Sequence, residues 1–526
     1  MSASPLRLRL AILLCLTGCF LLVGSREPPW ADARIMYEVA ENLANTQRVS
    51  VKSEWPPMSH KGPDGKVYSQ YAFGPSIVHV PGVWLRNATT DRADPESKLV
   101  TVVTSHLASA FMGALTCMLF FGMCRRLGAS AAAASAGTLV LAFSTMILVY
   151  ARSPYSEIMQ AASVLGFTGA LLAVVDAPVR RNALALGAWA ALVLNTKAVL
   201  ALALLGGGGH LLIALRRDRA ALVRVVAWSL LSAVPGVIVF LVYNYVRWGD
   251  PLDTGYGETI SLLRAWPWHG LWGLFLSPGK SLFLYCPPLV IGVLASVRFA
   301  REHGGAARAF VFVGLPPLLF YACMLIWSGD WCWGPRYLTY LVPLMMVPAV
   351  VSGWPVIARS RALRAAAAAL VAFGFVVQVL GIAFYWDHWI RIALNVRLSW
   401  LGNPERSGTP TKLNEFGLCD ACFEDMSGHH WLPPFAAIPG HAWMLVNHGE
   451  AYRDAQPSAP WRRYTRLDMP QIEPFYKAAR LDWWGFLWIQ GQPSTRPIGI
   501  GILILFLAMS VGGGVGWWRR VRAATA

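Results

Sequence analysis

Two carboxylates and a scatter of cations are the residues in this chain best suited to chemistry. Asp32 lies in EPPWADARIMYEVAENLANTQ, residues 27–47, a stretch that reads as an amphipathic helix. At about 100° per residue, Ile35, Met36, Val39 and Leu43 form one apolar stripe, with Glu38, Glu41 and Arg34 pointing away. Asp32 falls within the stripe, one turn before Met36. A carboxylate there is either a helix cap, since an Asp after Pro28-Pro29 satisfies free N–H groups, or a base held at a membrane boundary. One residue can serve both ends. Glu157, in ARSPYSEIMQAA, occupies a similar place at the start of an apolar run. Ser153 can cap that helix, Pro154 suits its first position, and Glu157 falls in the first turn. It either complements the helix dipole or is a functional ionisable group where a span begins.

Cations accompany both carboxylates. SHKGPDGKVYSQYAFGPSIVHVPG offers Lys61 and Lys66 with Tyr68 and Tyr71; LNTKAVL holds Lys197; YNYVRWGDPLDTGYG holds Arg247; WSGDWCWGPRYL holds Arg336. Any one alone would serve as a snorkelling anchor. Several converging beside carboxylates would suit a phosphate that is bound and then released. Cys419 and Cys422, in LCDACFED, stand apart from the other cysteines, which are scattered through apolar segments. A disulfide in an oxidising compartment is the favoured reading. A zinc site with His429, His430, His441 or His448 is the alternative, although no second tight ligand pair has finger-like spacing.

The elements that must position these residues are membrane helices. Hydrophobic residues make up 56% of the 526 and charged residues 14%, which excludes an ordinary soluble core as the main architecture. The expected fold is an all-α polytopic membrane protein with about twelve spans. These are residues 6–24, 99–123, 128–150, 157–175, 183–194, 198–215, 222–246, 281–299, 309–327, 337–357, 365–385 and 497–517. NTK interrupts the 183–215 run. SPLRLRLAILLCLTGCFLLVG has a basic flank but no clear small-residue cleavage site, so it reads as an uncleaved first span. Residues 261–279 are broken by Pro and Gly and read as a re-entrant or interfacial helix. Trp483, Trp484 and Trp488 fit an interfacial aromatic belt.

The net charge of +17 is topological. RLR, CRRLG, VRRN, RRDR, RFAREHGGAAR, ARSRALR and WWRRVR all fall between spans on one side, the positive-inside pattern. Both termini are then cytoplasmic, and nucleic acid is not a partner. On the other side, residues 25–98 balance nine basic against nine acidic residues, and 387–495 hold ten against eleven. Those two outer loops carry most of the non-membrane mass, which places function there. The chain divides into a transmembrane core over 1–385 that includes the 25–98 loop with its amphipathic helices, a large outer loop or small domain of mixed structure over 386–496, and a last span with a basic tail over 497–526.

In their order, DARIMYEVA, GPDGKVYSQYAFGPS, YARSPYSE, NYVRWGDPLDTGYG, LFLSPGKSLFLYCPP and WCWGPRYL resemble bacterial class C glycosyltransferases. The branch is that of protein O-mannosyltransferases and aminoarabinose transferases, and the resemblance covers roughly residues 7–360. It implies transfer of a sugar from a polyprenyl-phosphate donor to an acceptor hydroxyl at the outer face of the inner (plasma) membrane. Asp32 matches the family's acidic residue in the first outer loop, and Glu157 matches the one that opens the second. Lys66, Tyr68, Tyr71, Lys197, Arg247 and Arg336 would contact the donor phosphate, although Thr196-Lys197 stands where the family often has Arg-Pro. No cofactor is required by the resemblance; a divalent metal, if used, would take Glu157 as a ligand. The acceptor is a glycan, glycolipid or protein, and the 387–495 loop would select it. A transporter or flippase for a lipid-linked glycan, or a ligase joining whole glycans, is the alternative. The lack of an inverted repeat and the position of ionisable residues at the outer edge of the spans weigh against transport.

Overall fold

The computed structural model describes residues 5–525 apart from 53, 56–57, 91–96, 258–262, 264, 330, 401–426 and 452–479. Cys419 and Cys422, with the disulfide expected of them, lie outside the described residues. Among those described, seven helices are long and apolar enough to cross a membrane. They are Lys98–Arg126, Glu157–Asp176, Ala198–Leu215, Arg219–Trp248, Gly304–Ala322, Arg361–Ala383 and Thr495–Ala523. The expected run at 128–150 is instead two helices, Ala131–Phe143 and Ile147–Ala151. The 281–299 run is likewise divided into Leu282–Tyr285 and Leu289–Glu302 by Cys286-Pro287-Pro288. In the 337–357 run, the Arg336–Leu338 turn is followed by one apolar helix over Val342–Ile357 whose middle, Ala349–Gly353, is π-helical. Hydropathy alone does not see such breaks, because Pro and short-range capping change the backbone without lowering apolarity. Pro267–Leu276 is a ten-residue helix that leaves Trp268 and Trp272 exposed, too short to span.

Glu157–Asp176 is the central post. It is apolar on every side and most of its length is covered by neighbouring helices, as a helix without a polar face requires. The first and last helices pack closely together. Gly18 faces Ser510 and Gly513 faces Cys15, at distances that leave no room for a Cβ.

The first long loop is a compact unit and is not wholly helical. Asp32–Thr46 is followed by strands Ser50–Val51, Ser59–Lys61 and Val67–Ser69, an antiparallel sheet in the order first, third, second. Strands of two or three residues carry too little alternation to be visible in sequence. The helix buries Ile35, Met36 and Val39, as its stripe predicts. Glu38, expected to point away, is buried too: its Oε1 accepts the Lys52 amide at 2.6 Å and so ties the helix to the first strand. Glu41 pairs with Arg86 of the Val80–Thr89 helix. At its end Gln47 turns left-handed (φ 56°); its N–H reaches back to the Leu43 carbonyl and the Arg48 N–H to that of Asn42.

The second long loop returns to the core through Asp482. Its carboxylate accepts from Arg152 (2.9 Å), Ser25 (2.7 Å) and the Arg26 amide (2.8 Å), and Arg152 also donates to the Ile382 carbonyl. Both partners of the ion pair are 2% exposed. Trp483 and Trp484, expected in an interfacial belt, donate to the Leu22 and Leu21 carbonyls and cap the first helix. Removing one member of a buried, multiply bonded pair strands the other charge. Arg152→Ala is therefore expected to cost about 3–5 kcal/mol in equilibrium unfolding of the detergent-solubilised protein. A loss below about 1 kcal/mol would show that the pair does not join the two loops.

Candidate active site

Asp32 is the first residue of its helix, not the cap. The capping position is Ala31, whose φ of 49° is one that side-chain-bearing residues avoid, and its side chain makes no cap bond. A strained backbone persists only where surrounding structure fixes it. The Asp32 carboxylate that follows meets Arg336: Arg336 Nη1 donates to Asp32 Oδ2 at 2.8 Å. The same guanidinium reaches the second carboxylate, with Nε 3.9 Å from Glu157 Oε1. Glu157 begins its helix as expected, but Ser153 does not cap it. Ser156 holds the capping position, and residues 152–156 form an irregular link after Ile147–Ala151. Two carboxylates from separate helices thus meet at one cation, which lies 304 positions from Asp32 in the chain.

A second cation stands beside them. Lys197 fills the turn between Arg180–Thr196 and the Ala198–Leu200 turn, with Nζ 4.7 Å from the Tyr337 ring centre and 5.5 Å from that of Tyr321. Burial pulls its pKa down, and the Glu157 carboxylate works against that fall. Tyr321 and Tyr337 stack at 4.4 Å and form the apolar wall on which the ammonium rests. An aromatic face holds a cation without consuming its N–H donors, so Lys197 keeps them for another acceptor.

Phenols line the carboxylate side. Burial first, and then the Asp32 charge, push the pKa values of Tyr71, Tyr155 and Tyr256 up from their ordinary value, so all three keep their protons at neutral pH. The Tyr155 hydroxyl donates to the Trp30 carbonyl at 3.3 Å and meets the Tyr385 hydroxyl at 3.2 Å. Asp32 and Arg336 are partly open, 16% and 14% exposed, whereas Glu157 is 2% exposed. The more accessible carboxylate is therefore Asp32.

The remaining sequence candidates are engaged elsewhere. Arg247 is buried. It donates to the Tyr243, Ser69 and Tyr71 carbonyls and to Asn244 Oδ1. Its donors hold the backbone that presents Tyr71, which is a structural task. Lys66 sits at the turn of the hairpin and pairs with Asp64 at 2.7 Å; the Tyr68 hydroxyl donates to the same carboxylate at 2.9 Å. Among the described residues, no contact joins Lys66, Tyr68 or Arg247 to Asp32, Glu157 or Arg336. His429 and His441 spend Nδ1 on the Phe435 and Leu380 carbonyls. No group of three or more His, Cys, Asp or Glu among the described residues gathers as a metal site. The pair best placed to share an ion, Asp32 and Glu157, shares Arg336.

Glycines shape the loop that carries Arg336. Gly329 and Gly334 have φ of 70° and 64°. A Cβ on Gly329 would lie 2.8 Å from Arg336 Cγ and 2.9 Å from its Nε, and one on Gly334 would meet the Tyr285 ring at 2.7 Å. Gly329→Ala is expected to displace the guanidinium from Asp32 and to raise hydrogen–deuterium exchange of the 331–338 backbone amides at least about threefold in the detergent-solubilised protein. Unchanged exchange would show that Arg336 tolerates the shift.

No protein-family model matches the sequence, and no curated protein matches it either. Among solved structures, the chain is similar to ArnT from Cupriavidus metallidurans bound to undecaprenyl phosphate. The identity is 15%, 96% of this chain and 77% of that one are covered, and the TM-score is 0.45. It is also similar to the archaeal oligosaccharyltransferase AglB from Archaeoglobus fulgidus, in complex with an inhibitory peptide and a dolichol-phosphate. There the identity is 12%, the coverage 95% and 68%, and the TM-score 0.44. At these identities and scores the likeness assigns no role to any residue here.

Proposed function

We propose that this chain is a membrane glycosyltransferase of class C that takes a sugar from a polyprenyl-phosphate donor and acts at the extracytoplasmic face. The observation that carries the reading is the convergence of Asp32, Glu157, Lys197 and Arg336, from four separate stretches of sequence, each at or beside the end of a helix or turn. A lipid-borne phosphate sits at that depth, where a basic cluster can meet it without leaving the bilayer surface. The one-sided distribution of Lys and Arg supports a multi-pass topology with both termini cytoplasmic.

In this reading Asp32 is the general base. It takes the proton of an acceptor hydroxyl as that oxygen forms a bond to the anomeric carbon; the bond from that carbon to the donor phosphate breaks, with inversion. Polyprenyl phosphate leaves with the electron pair, and its new charge falls to Arg336 and Lys197. One feature of the resting site constrains the order of events. Arg336 Nη1 occupies Asp32 Oδ2, so an acceptor hydroxyl competes with the guanidinium for that oxygen. An incoming phosphate competes for the guanidinium, and a bidentate Arg–phosphate contact draws it from Asp32 toward the donor. Glu157, behind Arg336, limits how far it travels. Donor binding thereby both loads the electrophile and frees the base.

The test is release of polyprenyl phosphate. Purified protein in proteoliposomes, given undecaprenyl-phosphate hexoses and pentoses with extracts of the host envelope as acceptor, should release undecaprenyl phosphate in step with acceptor labelling. Labelling of the opposite leaflet's donor pool without bond cleavage would instead identify a flippase.

A further inference from the structure

Lys280, in the segment LSPGKSLFLY, has no exposed surface at all. A buried ammonium persists only when its donors are satisfied. Its Nζ donates to the Cys332 carbonyl at 3.1 Å, the Cys332 thiol at 3.1 Å and the Gly334 carbonyl at 3.3 Å. These acceptors belong to the loop that ends in Arg336, and the Cys332 thiol itself bonds the Gly334 carbonyl at 3.3 Å. The ammonium thus holds the left-handed turn at Gly334 two residues before the guanidinium that bridges Asp32 and Glu157.

The other side of the same segment is clasped by the second long loop. The Gly279 amide donates to the His430 carbonyl at 3.0 Å, and a Cβ on Gly279 would stand 2.1 Å from the His429 carbonyl oxygen. Burial and then the nearby Lys280 charge push His429 down to about 3, which keeps that ring neutral next to the ammonium. Ser277 anchors the turn, its hydroxyl accepting from the Lys280 amide at 3.0 Å. The Ser277–Ser281 turn is thus hydrogen-bonded to the Arg336 loop through Lys280 and to the Ser427–Trp431 helix through Gly279.

We infer that Lys280 is a positioning residue that sets Arg336 against Asp32 by fixing the 331–335 turn, and that it links that cation to the second long loop. The inference rests on the glycosyltransferase reading for its effect on turnover, but not for its effect on the loop itself. Lys280→Met keeps the aliphatic stem and removes the donors. Two readouts follow. The first is hydrogen–deuterium exchange of the backbone amides in 328–338, which should rise at least about tenfold in Lys280→Met. Exchange unchanged in that loop overturns the inference whatever the chain's activity. The second is a double-mutant cycle with Arg336→Ala, read as binding of undecaprenyl phosphate in nanodiscs. Lys280→Met should weaken binding about tenfold in the wild-type background and less than about twofold when Arg336 is already Ala. Equal losses in both backgrounds overturn the inference, because the lysine would then act on binding independently of Arg336. If Lys280→Met does not fold, Lys280→Arg supplies the same cycle. The planar fork keeps the charge but directs its donors differently from a single ammonium, and its effect on binding should also vanish when Arg336 is Ala. An Arg336→Ala variant that binds undecaprenyl phosphate normally would defeat the proposed function instead, and the exchange result would still judge Lys280.

Discussion

Asp32→Asn should lower sugar transfer in proteoliposomes by at least about a hundredfold while leaving the protein folded, on the usual scale for loss of a general base. Asn keeps the side-chain oxygen that accepts from Arg336 Nη1, so the contact that organises the site survives in part. It also keeps the shape at the start of the Asp32–Thr46 helix. What it removes is the ability to take a proton. Binding of undecaprenyl phosphate should therefore be unchanged or slightly tighter, since Arg336 is held less firmly by a neutral amide than by a carboxylate. Activity within about threefold of wild type would take Asp32 out of the mechanism. A large loss of both binding and thermal stability would assign it a structural role, as one half of an ion pair.

Arg336→Ala is expected to be at least as severe. It removes the proposed contact to the leaving phosphate and also leaves Asp32 and Glu157 without their shared guanidinium, with Lys197 as the remaining nearby cation. Loss of one charge-stabilising donor in a water-poor site costs about 10²–10³ in turnover, and the missing phosphate contact should weaken donor binding at least tenfold. Arg336→Lys should recover part of the binding and little of the turnover, because one ammonium cannot hold two carboxylates in the geometry of a planar fork. Glu157→Gln separates the two effects. If the repulsion between carboxylates dominates the defect, Glu157→Gln in the Arg336→Ala background should restore thermal stability without restoring transfer. If stability is not restored, the ion pair to Glu157 at 3.9 Å is too loose to matter.

Much of this site was legible one residue at a time. Asp32, Glu157, Lys197 and Arg336 each stood out as an ionisable residue at the edge of an apolar run, and the structure gathers those four. Their pairing was not legible. Asp32 and Arg336 lie 304 positions apart, and no local pattern tells which cation meets which carboxylate. The same limit misdirected Arg247 and Lys66, which read identically as outer cations but spend their donors on carbonyls and on Asp64. Lys280 was passed over within LFLSPGKSLFLYCPP, although a lone Lys in an apolar stretch is itself a signal of a buried, satisfied charge. Glu38 shows the converse error. Helical periodicity put it on the polar face, and a strand that sequence did not reveal closed over it. The long apolar helices were clear from composition; the breaks in the runs at 128–150 and 281–299 were not, because apolarity persists where the helix does not.

The central claim is that a lipid-borne phosphate takes Arg336 from Asp32. A cryo-EM map of the protein in nanodiscs with undecaprenyl phosphate bound measures this directly. The expected result is the phosphate within hydrogen-bond reach of both Arg336 and Lys197, with Arg336 Nη1 moved off Asp32 Oδ2 from its resting 2.8 Å and the freed carboxylate open to the acceptor side. A phosphate seated away from both cations, with the Asp32–Arg336 bond intact, would contradict it.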